Sequence, residues 1–265
     1  MPIHRAADER LKRLFWEGFT VRDVAESLVS FDATTSVTEA RKLIVRRDFD
    51  VVGVRRDGLV TGFLIGATAR SGNCGDHLQS FTDEDVIADS ESLAVAITRL
   101  NEHPQLFVSS LNSVEGIVTR GDFEKSPVRM WLFGMISIVE MRLVGLIAET
   151  LPDGVWREYV SAGRLAKAEQ MFEERKRRNQ YVDLLNCLQF SDKGQIVAKC
   201  DALRNQTRLE SARHGKQLVK QLESLRNNLA HAQDIIGTNW QMIVELASNM
   251  DAVLFGPQDD TPTPR

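Results

Sequence analysis

Three residues near the C-terminal end of the chain have types and spacing that could bind an anion or transfer a proton. Arg226 and Asn227 are adjacent, and His231 follows four residues after the asparagine. Histidine exchanges a proton near neutral pH, and the planar guanidinium of arginine matches the oxygens of a phosphate. These three residues are therefore the candidate catalytic residues.

The stretch 218–234 around them has the pattern of an amphipathic helix. Four leucines recur at helical spacing and predict one buried stripe: Leu218, Leu222, Leu225 and Leu229. At about 100° per residue, a second group falls on the opposite arc: Arg226, Asn227, Ala230, His231 and Asp234. The arginine and the histidine are therefore predicted to face solvent, a substrate or a second subunit. An ordinary solvated helix face would show the same pattern.

The order of these residues resembles the R-N-x-x-x-H signature of the HEPN family, whose members are mostly RNA-cleaving helical bundles. The resemblance implies an endoribonuclease that needs no metal or other cofactor for catalysis and cleaves RNA by attack of the ribose 2′-hydroxyl on its own phosphate. In that mechanism His231 acts as general base or acid, Arg226 holds and neutralises the phosphorane, and Asn227 orients the pair or binds the substrate. A toxin or an effector of defence or stress is the biological role that this activity suggests.

A single histidine cannot easily act as base and acid at opposite ends of the bond that is cut. A homodimer that brings two copies of Arg226 and His231 together supplies both groups, so a homodimer is expected. No glycine-rich phosphate loop, cysteine and histidine metal cluster or serine triad in the sequence competes for this chemistry.

The first half of the chain contains an internal repeat of short strand, helix and β-hairpin. The first copy, about 20–68, has a predicted strand at 21–24, a helix at 36–47 and hairpin strands at 51–54 and 59–65 joined across Asp57-Gly58. The second copy, about 84–125, has a predicted strand at 85–87, a helix at 92–100 and strands at 106–109 and 114–118 with the turn at Asn112-Ser113. Residues 68–83 have the glycine-rich, polar composition of a linker. Two copies of this length are expected to pack on one another.

The second copy ends in the run G-I-V-T-R-G-D, from Gly116 to Asp122. This run resembles the G-h-h-T/S-x-x-D signature of CBS domains, which occur as tandem pairs and bind adenosine nucleotides in the cleft between the copies. The resemblance implies that Thr119 meets a phosphate, that Asp122 accepts both ribose hydroxyls and that Arg120 reaches the phosphates as a fork. The regulatory ligand would be an adenine nucleotide, with AMP, ATP, NAD and a signalling dinucleotide all open.

The first copy departs from this signature, because Ile65 and Thr68 stand where the second copy has Thr119 and Asp122. A nucleotide is therefore expected in the cleft that carries Thr119 and Asp122. A CBS pair that binds nothing and only holds domains together remains an alternative.

From residue 127 onward the sequence predicts an all-helical bundle that extends to residue 255. Its first helix, 130–148, is apolar enough to suggest a membrane span, but Glu140 and Arg142 near its middle would each cost about 2.5–3.5 kcal/mol in a bilayer. A helix buried in a bundle fits better, and no membrane partner is expected. Because an ionisable group that faces a bundle cleft is a site candidate, Glu140 is taken as a supporting residue, with a pair at the bundle surface as the alternative.

Other helix boundaries follow from local signals. Breaks are predicted at Pro152-Asp153-Gly154 and at 191–194, with a new helix starting near Lys193. A last helix is predicted over 240–255, followed by a disordered polar tail at 256–265. Residues 1–19 are predicted to form a short amphipathic helix that mixes both charge signs, which is the pattern of neither a signal peptide nor a transit peptide.

The composition is that of a soluble globular protein with room for two modest domains in 265 residues. The formal net charge of −4 argues against coating of nucleic acid by bulk charge. Residues 1–125 carry 15 basic and 20 acidic side chains, while basic clusters at 175–178 and 204–220 are compatible with a phosphate backbone nearby. The three cysteines have no metal or redox spacing, and a reduced cytoplasmic setting is expected.

The sequence thus predicts an α+β CBS pair of two β-α-β-β-α units over 20–125, followed by an all-α HEPN-like bundle over 127–255. The predicted function is RNA cleavage regulated by an adenine nucleotide, with coupling through the helix that begins near Pro127. Two other classes remain open. One is a catalytically inactive, nucleotide-sensing dimeric adaptor, and the other is a CBS regulatory subunit of a partner enzyme.

Overall fold

A computed structural model of the chain describes residues 10, 11, 13–66, 68–207, 209 and 211–248. They form two compact units. The α/β unit covers residues 16–128, and the helical unit contains the residues from Arg129 onward together with the N-terminal segment up to Phe15. Helix α1 covers 10–17 apart from position 12. The tail predicted over 256–265, and positions 1–9 and 249–255 of the predicted terminal helices, lie outside the described residues.

In the α/β unit, the sequence of elements strand, helix, strand and strand occurs two times. After β1 (Glu26–Ser27), the first repeat consists of β2 (Ser30–Asp32), α2 (Val37–Arg47), β3 (Val51–Arg56) and β4 (Leu59–Ile65). After β5 (Gln79–Ser80), the second consists of β6 (Val86–Ala88), α3 (Leu93–Leu100), β7 (Gln105–Ser110) and β8 (Ser113–Thr119). The hydroxyl oxygens of Ser36 and Ser92 each accept a first-turn backbone N–H at 3.3 Å, which starts the two helices. Both predicted helices and both predicted hairpins are confirmed.

Each sheet of this unit takes its last strand from outside its own repeat. One sheet has the strand order β2-β3-β4-β5, and the other has the order β1-β8-β7-β6. The strand β1 pairs antiparallel with β8, and β5 pairs antiparallel with β4. The short strand that precedes each repeat therefore completes the sheet of the other repeat.

Two predictions for this unit are wrong. The strand predicted at 21–24 is a 3-10 turn over Val21–Asp23, because the carboxylate of Asp23 accepts the backbone N–H of Thr20 at 2.8 Å and closes the chain there. The predicted linker at 68–83 contains a 3-10 turn and the strand β5. A Cβ on Gly62 would lie 2.2 Å from the carbonyl oxygen of Gln79, so β5 pairs with β4 only because residue 62 has no side chain.

Both hairpin turns use two residues with positive φ. Asp57 (φ 51°) and Gly58 (φ 82°) connect β3 to β4 as predicted. In the second hairpin the pair is Leu111 (φ 49°) and Asn112 (φ 64°), because Ser113 is already paired in β8. The second turn therefore lies one residue earlier than predicted.

Aromatic packing joins the two sheets. Phe63 on β4 and Phe107 on β7 are buried, with ring centroids 4.8 Å apart. Phe81, which follows β5, has its centroid 4.7 Å from that of Phe107 and 5.8 Å from that of Phe63. Aromatic pairs at such distances contribute about 0.5–1.5 kcal/mol beyond the burial of their area. This cluster ties the two repeats into one core.

Within the described residues, the helical unit contains helices and turns and no strand. Its elements are α4 (Ser126–Thr150), a 3-10 segment (Pro152–Tyr159), α5 (Ala162–Arg177), a 3-10 turn (Leu184–Cys187), α6 (Phe190–Lys199), α7 (Asp201–Arg204), α8 (Ala212–Ala230) and α9 (Ile236–Ser248). The break predicted at 191–194 is wrong. Residues 191–194 belong to α6, because the side chain of Asp192 accepts the backbone N–H of Gln189 at 3.3 Å and so begins the helix.

Helix α4 is the one described helix that is long and apolar enough to cross a membrane, with a mean hydropathy of 1.7 in an 18-residue window that is half buried. Its side chains Trp131, Leu132 and Ile136 are buried. Glu140 forms an ion pair of 2.6 Å with Lys193 of α6, whose side chain is only 4% exposed. The predicted supporting residue Glu140 is thus a contact between two helices of the unit.

Helices α6 and α8 approach closely at a glycine. A Cβ on Gly194 would lie 2.3 Å from Cγ2 and 2.5 Å from Cγ1 of Val219. All four leucines of the predicted stripe on α8 are buried, at 0–9% exposure, which confirms that part of the prediction. The position of α8 therefore depends on the absence of a side chain at residue 194.

We expect Gly194→Ala to lower the free energy of unfolding by about 1–3 kcal/mol, because the added methyl group overpacks the contact between α6 and α8. Urea denaturation of the full chain measures this change. The double variant Gly194→Ala/Val219→Ala should recover part of the loss, because it returns space to the contact.

Gly145→Ala is the matched control. A Cβ at residue 145 of α4 would meet no described atom within 4 Å, so this change should stabilise the protein by about 0.5–1 kcal/mol. A Gly194→Ala variant as stable as the wild type would contradict the close approach of the two helices.

Candidate functional site

The helix that carries the catalytic candidates ends earlier than predicted. His231 is the C-cap of α8, one residue after the last helical position. Ala232 has a φ of 52°, and the N–H of Gln233 donates to the carbonyl oxygen of Asn228 at 2.9 Å, an arrangement typical of a helix end. The prediction that the helix continues to Asp234 is therefore wrong, and His231 lies at the junction of helix and loop.

The three catalytic candidates are accessible. Asn227 and His231 are exposed, and Arg226 is half-buried. Among the described residues, neither the guanidinium of Arg226 nor the imidazole of His231 has a hydrogen-bond or ion-pair partner. Because the neighbouring leucines fill the buried face of α8, both groups are available to a ligand or to a second subunit.

A residue outside the motif holds the loop that follows His231. Arg129 donates from Nη1 to the carbonyl oxygen of Asn228 at 3.4 Å and from Nη2 to that of Gln233 at 2.6 Å. Carbonyl groups at the end of a helix lack intrahelical donors and carry partial negative charge, so a guanidinium there is stabilising. Arg129 is therefore a candidate positioning residue for His231. Sequence reasoning missed it, because Arg129 and Asn228 are 99 positions apart.

The far end of the same loop is fixed by Asp234. Its Oδ1 accepts the backbone N–H groups of Ile236 at 2.9 Å and Gly237 at 3.0 Å, at the start of α9. The side-chain amide of Asn228 donates to the carbonyl oxygen of Asp234 at 3.4 Å. The loop between α8 and α9 is therefore held at both ends.

The α/β unit contains a cavity of about 650 Å³, a volume within the range of small-molecule sites. Its wall consists of Glu26, Ser27, Leu28, Val29, Asp48, Phe49, Asp50, Val51, Glu102, His103, Pro104, Gln105, Ile117, Thr119, Arg120, Gly121 and Asp122. The three predicted nucleotide-binding residues thus line one cavity, with contributions from both repeats. In the first repeat, Thr68 instead donates its hydroxyl to the carbonyl oxygen of Ile65 at 2.9 Å.

Asp122 is the centre of a hydrogen-bond cluster in this wall. Its Oδ2 accepts the backbone N–H of Thr119 at 2.7 Å and the hydroxyl of Thr119 at 3.0 Å, and its Oδ1 pairs with Nζ of Lys125 at 2.6 Å. A carboxylate has about four acceptor positions, so one position remains on Oδ1. Asp122 can therefore accept one ribose hydroxyl without losing a bond, whereas both hydroxyls were expected.

Lys125 is a residue of this cluster that sequence reasoning missed. Its Nζ also pairs with Oε1 of Glu26 at 3.0 Å and donates to the carbonyl oxygen of Val24 at 2.7 Å, 101 positions away. Burial acts to lower the pKa of the Lys125 ammonium, but its hydrogen bonds to Asp122 and Glu26 outweigh this and raise the pKa above the ordinary lysine value. Lys125 is therefore charged at neutral pH and neutralises the buried carboxylate of Asp122.

Arg120 lines the cavity but is bound to a helix end. Its Nε donates to the carbonyl oxygen of Leu100 at 2.8 Å, and its Nη2 donates to that of Asn101 at 2.9 Å. These carbonyl groups close the C-terminal end of α3, where a cation is favoured. These two bonds fix the guanidinium of Arg120 at the helix end and use two of its five N–H donors.

The turn formed by Thr119 and Asp122 occurs elsewhere in the same unit. The turns at 20–23 and 82–85 are alike, since Asp23 and Asp85 each accept the backbone N–H and the hydroxyl of the threonine three residues earlier, at 2.7–3.3 Å. Of these three turns, the one at 119–122 lines the cavity. The pattern T-x-x-D therefore specifies a capping turn, and the cavity decides which of the turns can meet a ligand.

The cavity wall is acidic. Its ionisable side chains are the carboxylates Glu26, Asp48, Asp50, Glu102 and Asp122, together with His103 and Arg120. The cations Lys125 and Arg120 offset part of this charge, and the five carboxylates remain in excess. A ligand with several phosphate charges is therefore less suited to this wall than a ligand with one.

In the described part of the chain, no group of three or more His, Cys, Asp or Glu side chains is placed to hold a metal ion. Cys74, Cys187 and Cys200 are free and buried. Burial raises the pKa of the Cys74 thiol above its ordinary value, so this thiol is protonated at neutral pH.

Comparison with known proteins found no matching family model and no curated protein of similar sequence. Solved structures that the chain resembles include CBS domain proteins. CBSX2 in complex with AMP is 22% identical, with coverage of 43% of this chain and 98% of that chain and a TM-score of 0.36. The CBS-pair protein CBSX2 from Arabidopsis thaliana is 24% identical, with coverage of 43% of this chain and 94% of that chain and a TM-score of 0.35. The CBS domain of a bacterial CNNM/CorC family Mg²⁺ transporter in complex with ATP is 10% identical, with coverage of 47% of this chain and 96% of that chain and a TM-score of 0.36.

Proposed function

We propose that this protein is an endoribonuclease whose activity responds to an adenine nucleotide bound by a CBS pair. The observation that carries the proposal is the presence of two accessible side chains without partners, Arg226 and His231, at the end of a helix fixed by buried leucines. The resemblance of this motif to the HEPN signature supports the nuclease. The cavity lined by Thr119 and Asp122, and the resemblance of their run to the CBS signature, support the nucleotide site.

The proposed reaction uses the chain's own nitrogen groups. His231 takes the proton of the ribose 2′-hydroxyl and the 2′-oxygen attacks the phosphorus. The bond from phosphorus to the 5′-oxygen breaks as this oxygen takes a proton from the protonated His231 of a second subunit, which yields a 2′,3′-cyclic phosphate and a free 5′-hydroxyl. Arg226 donates two parallel hydrogen bonds to the phosphoryl oxygens as negative charge develops on them. Arg129 keeps the His231 loop in place through its two carbonyl contacts.

The acidic cavity favours AMP over ATP as the ligand. Asp122 offers one acceptor position to the ribose, and Thr119 lies beside it at the end of β8. Each additional phosphate would bring negative charge to a wall that already carries five carboxylates.

Regulation would pass along the chain from the pair of Asp122 and Lys125 to the contacts of Arg129 with the loop after His231. Lys125, which pairs with Asp122, is the residue before α4, and Arg129, which binds the loop after His231, is in the first turn of that helix. A ribose hydroxyl on the free position of Asp122 Oδ1 would lie beside Lys125, the residue that precedes α4, and could so change the start of that helix. Such coupling is limited to the ligand's difference in affinity between two states, typically about 1–3 kcal/mol.

The nucleotide assignment is tested with Asp122→Ala. We expect this change to weaken AMP binding about 10- to 150-fold in calorimetry of the full chain, because hydrogen bonds to a charged group contribute about 1.5–3 kcal/mol. Asp85→Ala is the matched control, since it removes the same threonine turn from a place outside the cavity lining. Equal losses in both variants would show that the turn acts only on the fold.

The nuclease assignment is tested with a labelled RNA in the presence of a chelator. We expect cleavage to a 2′,3′-cyclic phosphate, with rates lowered about 10²- to 10⁴-fold in His231→Ala, the usual range for loss of a general acid–base group. His214→Ala is the control, because His214 is also an exposed histidine of α8. Equal cleavage by the wild type and by His231→Ala, purified alike, would exclude this site. Repeating the assay with AMP, in wild type and Asp122→Ala, measures the regulation.

The proposed reaction also calls for a homodimer, because each chain offers one histidine at this site. Exposed apolar side chains on α4 are available for self-association: Met130 (63%), Phe133 (45%) and Met141 (42%). We expect a dimer by light scattering at micromolar concentration, weakened by Phe133→Lys but not by Leu59→Lys, which changes an exposed leucine of the α/β unit. A wild-type monomer that still cleaves RNA would contradict this requirement.

An adaptor without catalytic activity is the second candidate. It is favoured by the fact that the described site offers a single histidine with no partner to orient it. AMP binding that depends on Asp122, together with intact RNA in every cleavage assay, would select this function over the nuclease.

A further inference from the structure

A groove on the surface of the α/β unit concentrates positive charge. It has a volume of about 570 Å³ and is lined by Thr38, Arg41, Lys42, Val45, Arg46 and Arg70. Five of these residues belong to α2, and Arg70 belongs to the segment after β4. Four of the six carry a full positive charge.

None of these four cations is neutralised by the described residues. All four are exposed, and no described carboxylate pairs with Arg41, Lys42, Arg46 or Arg70. The sequence around the groove is acidic, because residues 1–125, which include these four cations, carry 20 acidic and 15 basic side chains. The groove is therefore a local positive site on an acidic unit.

The spacing of the charges along α2 costs helix stability. Lys42 and Arg46 are four positions apart on the same helix face, where two like charges destabilise a helix by about 0.2–0.5 kcal/mol. Val45 lies between them and is 69% exposed. An anion bound in the groove would relieve the repulsion, and a ribose or base could cover the valine.

We infer that this groove, on the α/β unit, binds the phosphate backbone of the RNA substrate. Four exposed cations without described partners on one surface suit a chain of phosphates, and anionic phospholipid is the alternative that the test separates from RNA. Among the described lining residues no aromatic ring is available for base stacking, so binding would not depend on sequence. The choice of RNA as the polyanion rests on the proposed nuclease function.

The test measures binding without cleavage. A labelled, 2′-O-methylated single-stranded RNA cannot undergo attack by its own 2′-oxygen, so its affinity for the full chain is measured without cleavage. We expect Arg41→Ala/Arg46→Ala to reduce the slope of log affinity against log salt by about 1.4, since each phosphate contact on a single strand contributes about 0.7. Near 0.1 M salt this corresponds to roughly 25-fold weaker binding.

The matched control is Arg47→Ala/Arg56→Ala. It removes the same charge, and one of its positions is next to Arg46 on α2, but neither residue lines the groove. We expect this control to bind RNA within about twofold of the wild type, because its side chains make no proposed phosphate contact.

Four outcomes of the binding measurements would overturn the inference. They are equal losses in both double variants, no loss in Arg41→Ala/Arg46→Ala, no RNA binding by the wild type, and groove-dependent binding to vesicles of anionic phospholipid without RNA binding. Cleavage of unmodified RNA is measured in parallel on the same variants. Cleavage that persists unchanged in the groove variant would reject the groove and leave the nuclease, whereas groove-dependent binding with no cleavage would reject the nuclease and leave the groove.

Discussion

The exchange of edge strands between the two sheets is the constraint on which the α/β unit depends. The strand β1 precedes the first repeat but pairs with β8 of the second, and β5 precedes the second repeat but pairs with β4 of the first. Each exchanged strand has two residues, too few to persist without the sheet that it joins. Neither repeat can therefore complete its sheet alone, and the cluster of Phe63, Phe81 and Phe107 is buried only when both are folded.

The cavity and its charge follow from this exchange. Pairing of Glu26 with Ile117 brings β1 beside the end of β8, where Lys125 can reach both Glu26 and Asp122. The wall of the cavity stays acidic, and the positive charge of the unit is concentrated instead in the groove on α2. One unit therefore offers two chemically different surfaces, the first suited to a nucleoside with little phosphate charge and the second suited to a polyanion.

In the helical unit, the position of the candidate catalytic residues depends on packing at a distance from them. Gly194 lets α6 approach α8 at Val219, and the leucine stripe of α8 fills the core on its buried face. Arg129 then binds the carbonyl groups around the helix end, so the segment that contains His231 is held although its imidazole is not. The backbone of the site is therefore fixed, while a catalytic site also requires that its side chains be held, and no described residue holds the imidazole of His231.

The sequence by itself determined the local elements and the candidate residues. The helices α2 and α3, the two hairpins and the leucine stripe follow from apolar spacing and turn residues, because those patterns reflect interactions within a few positions of the chain. Only the tertiary structure decided the partners of β1 and β5, the use of Arg120 at the end of α3, and the roles of Lys125 and Arg129. Lys125 contacts Val24 across 101 positions and Arg129 contacts Asn228 across 99, and a long side chain binds whatever acceptor the fold brings near it. No local pattern records such a neighbour, which is why these residues became visible only in the folded chain.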